Sequence, residues 1–157
     1  MKLVLTFGFV VVSIWLQAQS SSYTERKNAQ LAGPSPFIGE LSGQAKDRIV
    51  YESNKVLAFH SNKPQAPIHI IVIPKKRIAT LNDLTAADST VISEMIFVAT
   101  KLAASNGISE TGYRLVFNTN EHAGQSAFHV HLHVLGGMST GPMVDQQWRK
   151  QQEGTKQ

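Results

Sequence analysis

Cysteine is absent from the 157 residues. That one absence excludes disulfide scaffolds, cysteine-ligated zinc, iron–sulfur clusters and thiol nucleophiles. Charged residues are scarce at 17% and aromatic residues at 8%. The basic excess is small, 15 Lys+Arg against 11 Asp+Glu. It falls short of the clustered Lys/Arg stripe of a nucleic-acid surface, so no nucleic-acid partner is expected. Demanding chemistry is left to histidines, carboxylates and hydroxyls. The hydrophobic share of 42% is enough for a core, and the length fits one domain.

The apolar run from Leu3 to Leu16 is shorter than the ~20 residues of a membrane-spanning helix. Lys2 precedes it, and Ala18-Gln19-Ser20 follow with small residues where a signal peptidase cuts. Residues 1–20 therefore read as a signal peptide. Its removal implies an exported chain, periplasmic or secreted, with no stable membrane anchoring. No cysteine follows the run, which excludes bacterial-style lipid attachment. An oxidising compartment suits a chain without cysteine.

The polar stretch over residues 21–34 reads as a flexible leader. Ser35-Pro36 can start a short helix through Leu41, since proline is tolerated in the first turn. Arg48–Glu52 and Lys55–His60 read as strands joined by a Ser53-Asn54 turn. Ile68–Ile73 is β-branched and stops at Pro74, which suits a central strand. A long helix is predicted from Thr85, with Asp88 near its positive end and Val91, Ile92, Met95, Ile96, Ala99, Leu102 and Ala103 at helical spacing. Asn106-Gly107 stops it. Tyr113–Asn118 and Phe128–Leu135 read as two further strands, and residues 143–157 as a Gln-rich polar tail. Hairpins plus one long helix make the class α+β, with the domain over residues 35–142.

Half of the six histidines fall in Phe128-His129-Val130-His131-Leu132-His133-Val134-Leu135. Strand side chains alternate between faces. Phe128, Val130, Leu132 and Val134 then face a core, while His129, His131 and His133 share the other side. Two chemistries fit. A His-x-His pair can present two imidazoles to zinc, but His129 and His133 would be about 13 Å apart at their Cα atoms. A metal would need another ligand such as His69, His122 or Glu121, and nothing marks one. Alternatively, a neutral imidazole can attack phosphorus, with its neighbours orienting it and moving protons. Gly124-Gln125-Ser126, just upstream, can offer backbone N–H groups and a hydroxyl to an anion.

His129-Val130-His131-Leu132-His133-Val134-Leu135 resembles the histidine triad signature, in which three histidines alternate with apolar residues. The resemblance extends to Phe59-His60, Pro64–His69, Val72–Lys76, Gly112-Tyr113-Arg114, Asn118, Gly124-Gln125-Ser126 and Gly136-Gly137, so to most of Ser35–Gly137. These residues are similar to the nucleotide-binding branch of the histidine triad superfamily. The resemblance implies a five-stranded antiparallel sheet per subunit with one long and one short helix, and two sheets joined in a homodimer. It implies hydrolysis of purine nucleoside phosphoramidates through a nucleotidyl-histidine, releasing a nucleoside monophosphate and an amine, with no metal or other cofactor. A nucleotide-binding or signalling protein with little turnover is the alternative reading.

The same resemblance makes His131 the nucleophile, His129 the residue that orients it, and His133 a phosphate contact and a candidate in the proton relay. His69 supports the site from a neighbouring strand. Gly124, Gln125 and Ser126 match the phosphate and leaving-group loop, and Asn118 matches a nucleotide contact. The branch usually carries an acidic residue for the ribose after Phe-His; here Ser61 and then Asn62 stand there. Its Trp-containing C-terminus is replaced by Met138-Ser139-Thr140-Gly141-Pro142. The upstream loop reads Asn120-Glu121-His122-Ala123, with His122 expected to be exposed.

Overall fold

The computed structural model describes residues 22–143. The expected signal peptide and nearly all of the polar tail lie outside the described residues. Five antiparallel strands, β1 (Ile49–Glu52), β2 (Val56–His60), β3 (Ile68–Pro74), β4 (Tyr113–Phe117) and β5 (Leu132–Gly136), form one sheet in the order β1-β2-β3-β5-β4. Helix α1 covers residues 22–32, α2 is Ile38–Leu41, and α3 is Ser89–Ser105. The fold is α+β with one long and one short helix on the sheet, as expected, and α1 is an addition.

Strand alternation divides the core. Val56, Ala58, Ile70, Val72, Leu132 and Val134 are buried on one face, against Met95, Val98, Ala99 and Ala103 of α3. Burying such side chains contributes about 1.5–3 kcal/mol each. Leu57, Phe59, Ile71 and Ile73 occupy the opposite face, packed by Phe37, Leu41 and Ile49. The odd-numbered residues of β3 and β5 belong to this second face, which receives the histidines. Directly paired residues share a face, and His133 pairs with Ile71 and with Val116.

Two expectations are corrected in detail. The long helix begins at Ser89, after a 3₁₀ turn over Ala86–Asp88. Thr85 belongs to that turn: its N–H and hydroxyl both donate to Asp88 Oδ2, while Lys76 Nζ pairs with Oδ1 at 2.7 Å. Those bonds hold the Asp88 carboxyl down at about 2, the Lys76 contact being the largest cause. The stretch read as a flexible leader is helical over residues 22–32. Its polarity concealed its tertiary anchors. Arg77, from the loop after β3, donates to the carbonyls of Gln30 at 2.8 Å and Gly33 at 2.7 Å. A cation on the last carbonyls of a helix satisfies acceptors that have no partner within it.

Candidate active site

The histidine segment is not a strand throughout. Pairing with β3 and β4 begins at Leu132, opposite Val72 and Phe117, so only His133 lies within the ladder. The expected strand start at Phe128 is corrected for a physical reason. β4 ends at Phe117, and β3 ends at Pro74, which has no N–H to donate. The loop after β3 takes over. Val130 N–H donates to the Ile78 carbonyl at 2.6 Å, and His129 Nε2 lies 2.8 Å from the Pro74 carbonyl.

Those partners fix each ring's tautomer, because a carbonyl only accepts and a backbone N–H only donates. His129 Nε2–H donates to the Pro74 carbonyl, so Nδ1 accepts from the Ser35 hydroxyl at 2.7 Å. His131 Nδ1–H donates to the His129 carbonyl at 2.8 Å, leaving the lone pair on Nε2. Gln65 N–H donates to His69 Nδ1 at 3.1 Å. His69 Nε2–H therefore donates to His133 Nδ1, 2.9 Å away, and His133 presents Nε2–H. One ring offers a lone pair and its neighbour a proton. The two stand edge to face, with centroids 4.9 Å apart.

Burial keeps the rings neutral. His129 and His133 are both pushed down to about 4, chiefly by loss of solvent. Burial also lowers His131, opposed by its bond to the His129 carbonyl. It lowers His69 too, opposed by the backbone at Lys63. Phe37 covers the group, with its centroid 5.6 Å from His129 and 5.5 Å from His131. His131 keeps 8% of its surface and His129 none.

The remaining expected site residues differ in their surroundings. Ser61 N–H donates to the His69 carbonyl at 3.0 Å, which sets Ser61 beside that histidine, and Asn62 is exposed. Asn118 directly follows β4 and is half-buried. Gly124 sits at φ +72° with nothing within 4 Å of where a Cβ would stand, and Ser126 is exposed. Gln125 is different. It is buried, its Nε2 donates to the Ala79 and Ala127 carbonyls, and its Oε1 accepts from Asn120 N–H. Its side chain braces the loop and has no polar atom to spare for a ligand. Asn120, at φ +64°, is held in this strained conformation by that brace and by its carbonyl bond to Gln125 N–H. His122 is exposed, as expected.

Sequence reasoning missed Ser35 as a partner of the triad. Its hydroxyl also accepts Phe37 N–H at 3.1 Å, so it fixes the covering aromatic and the first histidine together. Ser35→Ala leaves a buried imidazole nitrogen unpaired, and is expected to cost about 1–3 kcal/mol in urea unfolding. An unchanged midpoint would show that water replaces the hydroxyl.

This geometry can be set beside known proteins. A model of the HIT domain family matches residues 42–140. The chain belongs to the HIT domain family. The purine nucleoside phosphoramidase of Escherichia coli (strain K12) is 49% identical to it over 96 residues, 61% of this chain and 81% of that protein. The crystal structure of a HIT family hydrolase from Legionella pneumophila Philadelphia 1 is 44% identical, with a TM-score of 0.66 over 69% of this chain and 96% of that one. A histidine triad protein from Clostridium difficile is 33% identical, with a TM-score of 0.64, over 69% of this chain and 94% of that one. Helix α1 and Ser35 precede the residues matched by the HIT family model, so the contacts they make come from outside the matched region.

Proposed function

We propose that this HIT domain protein is a purine nucleoside phosphoramidase that works through a nucleotidyl-histidine. The observation that carries the reading is the tautomer of His131: with Nδ1–H donated to the His129 carbonyl, Nε2 holds a lone pair at neutral pH. Nε2 attacks the α-phosphorus and the P–N bond breaks. The departing nitrogen takes up one proton and leaves as the amine. Water then attacks the same phosphorus, breaks the P–Nε2 bond and returns one proton, releasing the nucleoside monophosphate. The cation on the His131 ring in the adduct is stabilised by the carbonyl that accepts its Nδ1–H. His133 Nε2–H is the nearby donor for a phosphoryl oxygen, where charge develops. His69 holds that proton in place by occupying His133 Nδ1.

The donor set suits this chemistry better than a metal. A shared ion would need lone pairs from several rings, yet His69 and His133 bond to each other and Gln65 N–H occupies His69 Nδ1. Ser126 and Asn118 fit as phosphate contacts, Gly124 as the open floor beside them, and Ser61 as a ribose contact. The full reading includes export through residues 1–20 and a homodimer. Phe97 and Ile96 support the dimer, since they stand 68% and 41% exposed on α3.

The test is turnover. Purified protein lacking residues 1–20 should release amine and AMP from adenosine 5′-phosphoramidate, and should continue to do so in chelator. Binding of AMP by calorimetry without any turnover would replace this reading with that of a nucleotide-binding protein.

A further inference from the structure

We propose that α1 and the loop over residues 120–126 form a subsite for the amine component of the substrate, in which Arg26 takes a carboxylate. The inference rests on the phosphoramidase reading and extends it to a substrate class. Between helix and loop lies a cavity of about 330 Å³ lined by Tyr23, Arg26, Glu121, Gly124, Ser126 and Phe128. The triad rings do not line it. Its loop side is the chain that runs from Ser126 through Phe128 into His129. A substrate whose phosphate meets the Ser126 hydroxyl therefore has its amine component within reach of this space.

The helix is fastened to that chain as a wall. Gln30 Nε2 donates to the Ser126 carbonyl at 2.8 Å, and Gln30 Oε1 accepts Phe128 N–H at 3.1 Å. One side chain thus satisfies two backbone groups of the segment that leads into His129. Arg77 joins the same pieces, adding the Phe128 carbonyl at 3.2 Å to the Gln30 and Gly33 carbonyls at the end of α1. The Tyr23 ring meets the Phe128 ring edge to face, at 5.4 Å and 71°. The Tyr23 hydroxyl reaches Asn120 Oδ1 at 3.5 Å. Four contacts from one short helix onto the chain between Asn120 and Phe128 exceed what a solvated leader would make.

The cavity's charges choose the ligand. Among the described residues the ion pairs are Glu40–Arg48, Glu52–Lys75 and Asp88–Lys76, and neither Arg26 nor Glu121 takes part in one. Both act on the Tyr23 hydroxyl: burial and then Glu121 raise it, and Arg26 opposes them. The guanidinium offers a planar pair of donors that matches a carboxylate. The Glu121 carboxylate on the same cavity disfavours a dianion such as a phosphate. An amine component with a single carboxylate, an amino acid, takes the Arg26 bond with less charge set against Glu121.

The experiment compares adenosine 5′-phosphoramidates whose nitrogen belongs to a short series of ω-amino acids or to the matching amides, with the unsubstituted phosphoramidate as reference. The readout is the acid-to-amide ratio of kcat/KM, which a general loss of fold or activity does not move. For at least one chain length the protein should prefer the acid by about tenfold or more, as charge-assisted bonding implies, and Arg26→Gln and Arg26→Ala should bring the ratio to about one. Turnover of the unsubstituted compound with a ratio near one in the unaltered protein, or with a ratio the Arg26 variants leave unchanged, overturns the subsite while the phosphoramidase reading stands. Failure to hydrolyse any compound, the unsubstituted one included, overturns both.

Discussion

Replacing His131 with alanine is expected to reduce amine release from adenosine 5′-phosphoramidate by at least ~10³-fold, because removing a nucleophile forfeits the covalent route altogether. The size of the loss follows from the ring's fixed tautomer. His131 Nε2 is the lone-pair nitrogen, and Nδ1 is committed to the His129 carbonyl. No other ring can substitute for it. His129 has both nitrogens engaged, and His133 presents a proton where a lone pair is needed. A rapid acid quench of the unaltered protein during turnover should also yield a nucleotidyl adduct on the peptide carrying His131, detectable by mass spectrometry. Equal rates for the two proteins would remove His131 from the chemistry.

Acid is expected to destabilise the fold well above the carboxylate range. Both His129 and His133 titrate near 4 in the folded protein against 6.5 when free, mainly through burial. A lowered folded value means that the unfolded chain binds protons the folded one cannot. Stability is therefore complete above the free value and falls as pH drops from 6.5 towards 4. His129 has no exposed surface, and its shift alone corresponds to a loss on the order of 3 kcal/mol across that window. His69 and His131 act in the same direction, although rings in contact do not titrate independently. A second loss follows at lower pH: Asp88 is depressed to about 2 from 3.8, so what it contributes above 3.8 disappears as its Lys76 contact is protonated away. Urea midpoints taken from neutral pH down to about pH 4.5 should fall steeply, and His129→Asn should flatten the slope. A flat series in the unaltered protein would contradict the neutral, buried triad.

Much of the fold was legible because period-two alternation is a strong signal. Ile68–Pro74 and Val56–His60 formed where their β-branched and apolar residues placed them, and apolar spacing from Val91 to Ala103 marked the long helix. The triad's composition was equally plain, but its geometry was not. Alternation at His129 and His131 looked the same as at His133, although the ladder that would make it a strand ends at Leu132. That end is set by Pro74 and by the length of β4, both outside the histidine segment. Helix α1 was hidden for a related reason. Its polar residues carry no local hydrophobic stripe, and it is secured by Gln30 and by Arg77, whose partner lies 47 residues distant. Gln125 read as a ligand contact because Gly-Gln-Ser is a loop motif. Only its burial and three bonds reveal a brace.

The amide of Gln65 gives the site an outward-facing gauge. Because its hydrogen points at His69 Nδ1, any event that loads a proton onto that nitrogen must expel this amide from its bond. The exchange rate of a single backbone hydrogen in the Pro64–Pro67 loop thus reports the protonation of His69, the ring that holds His133 in place.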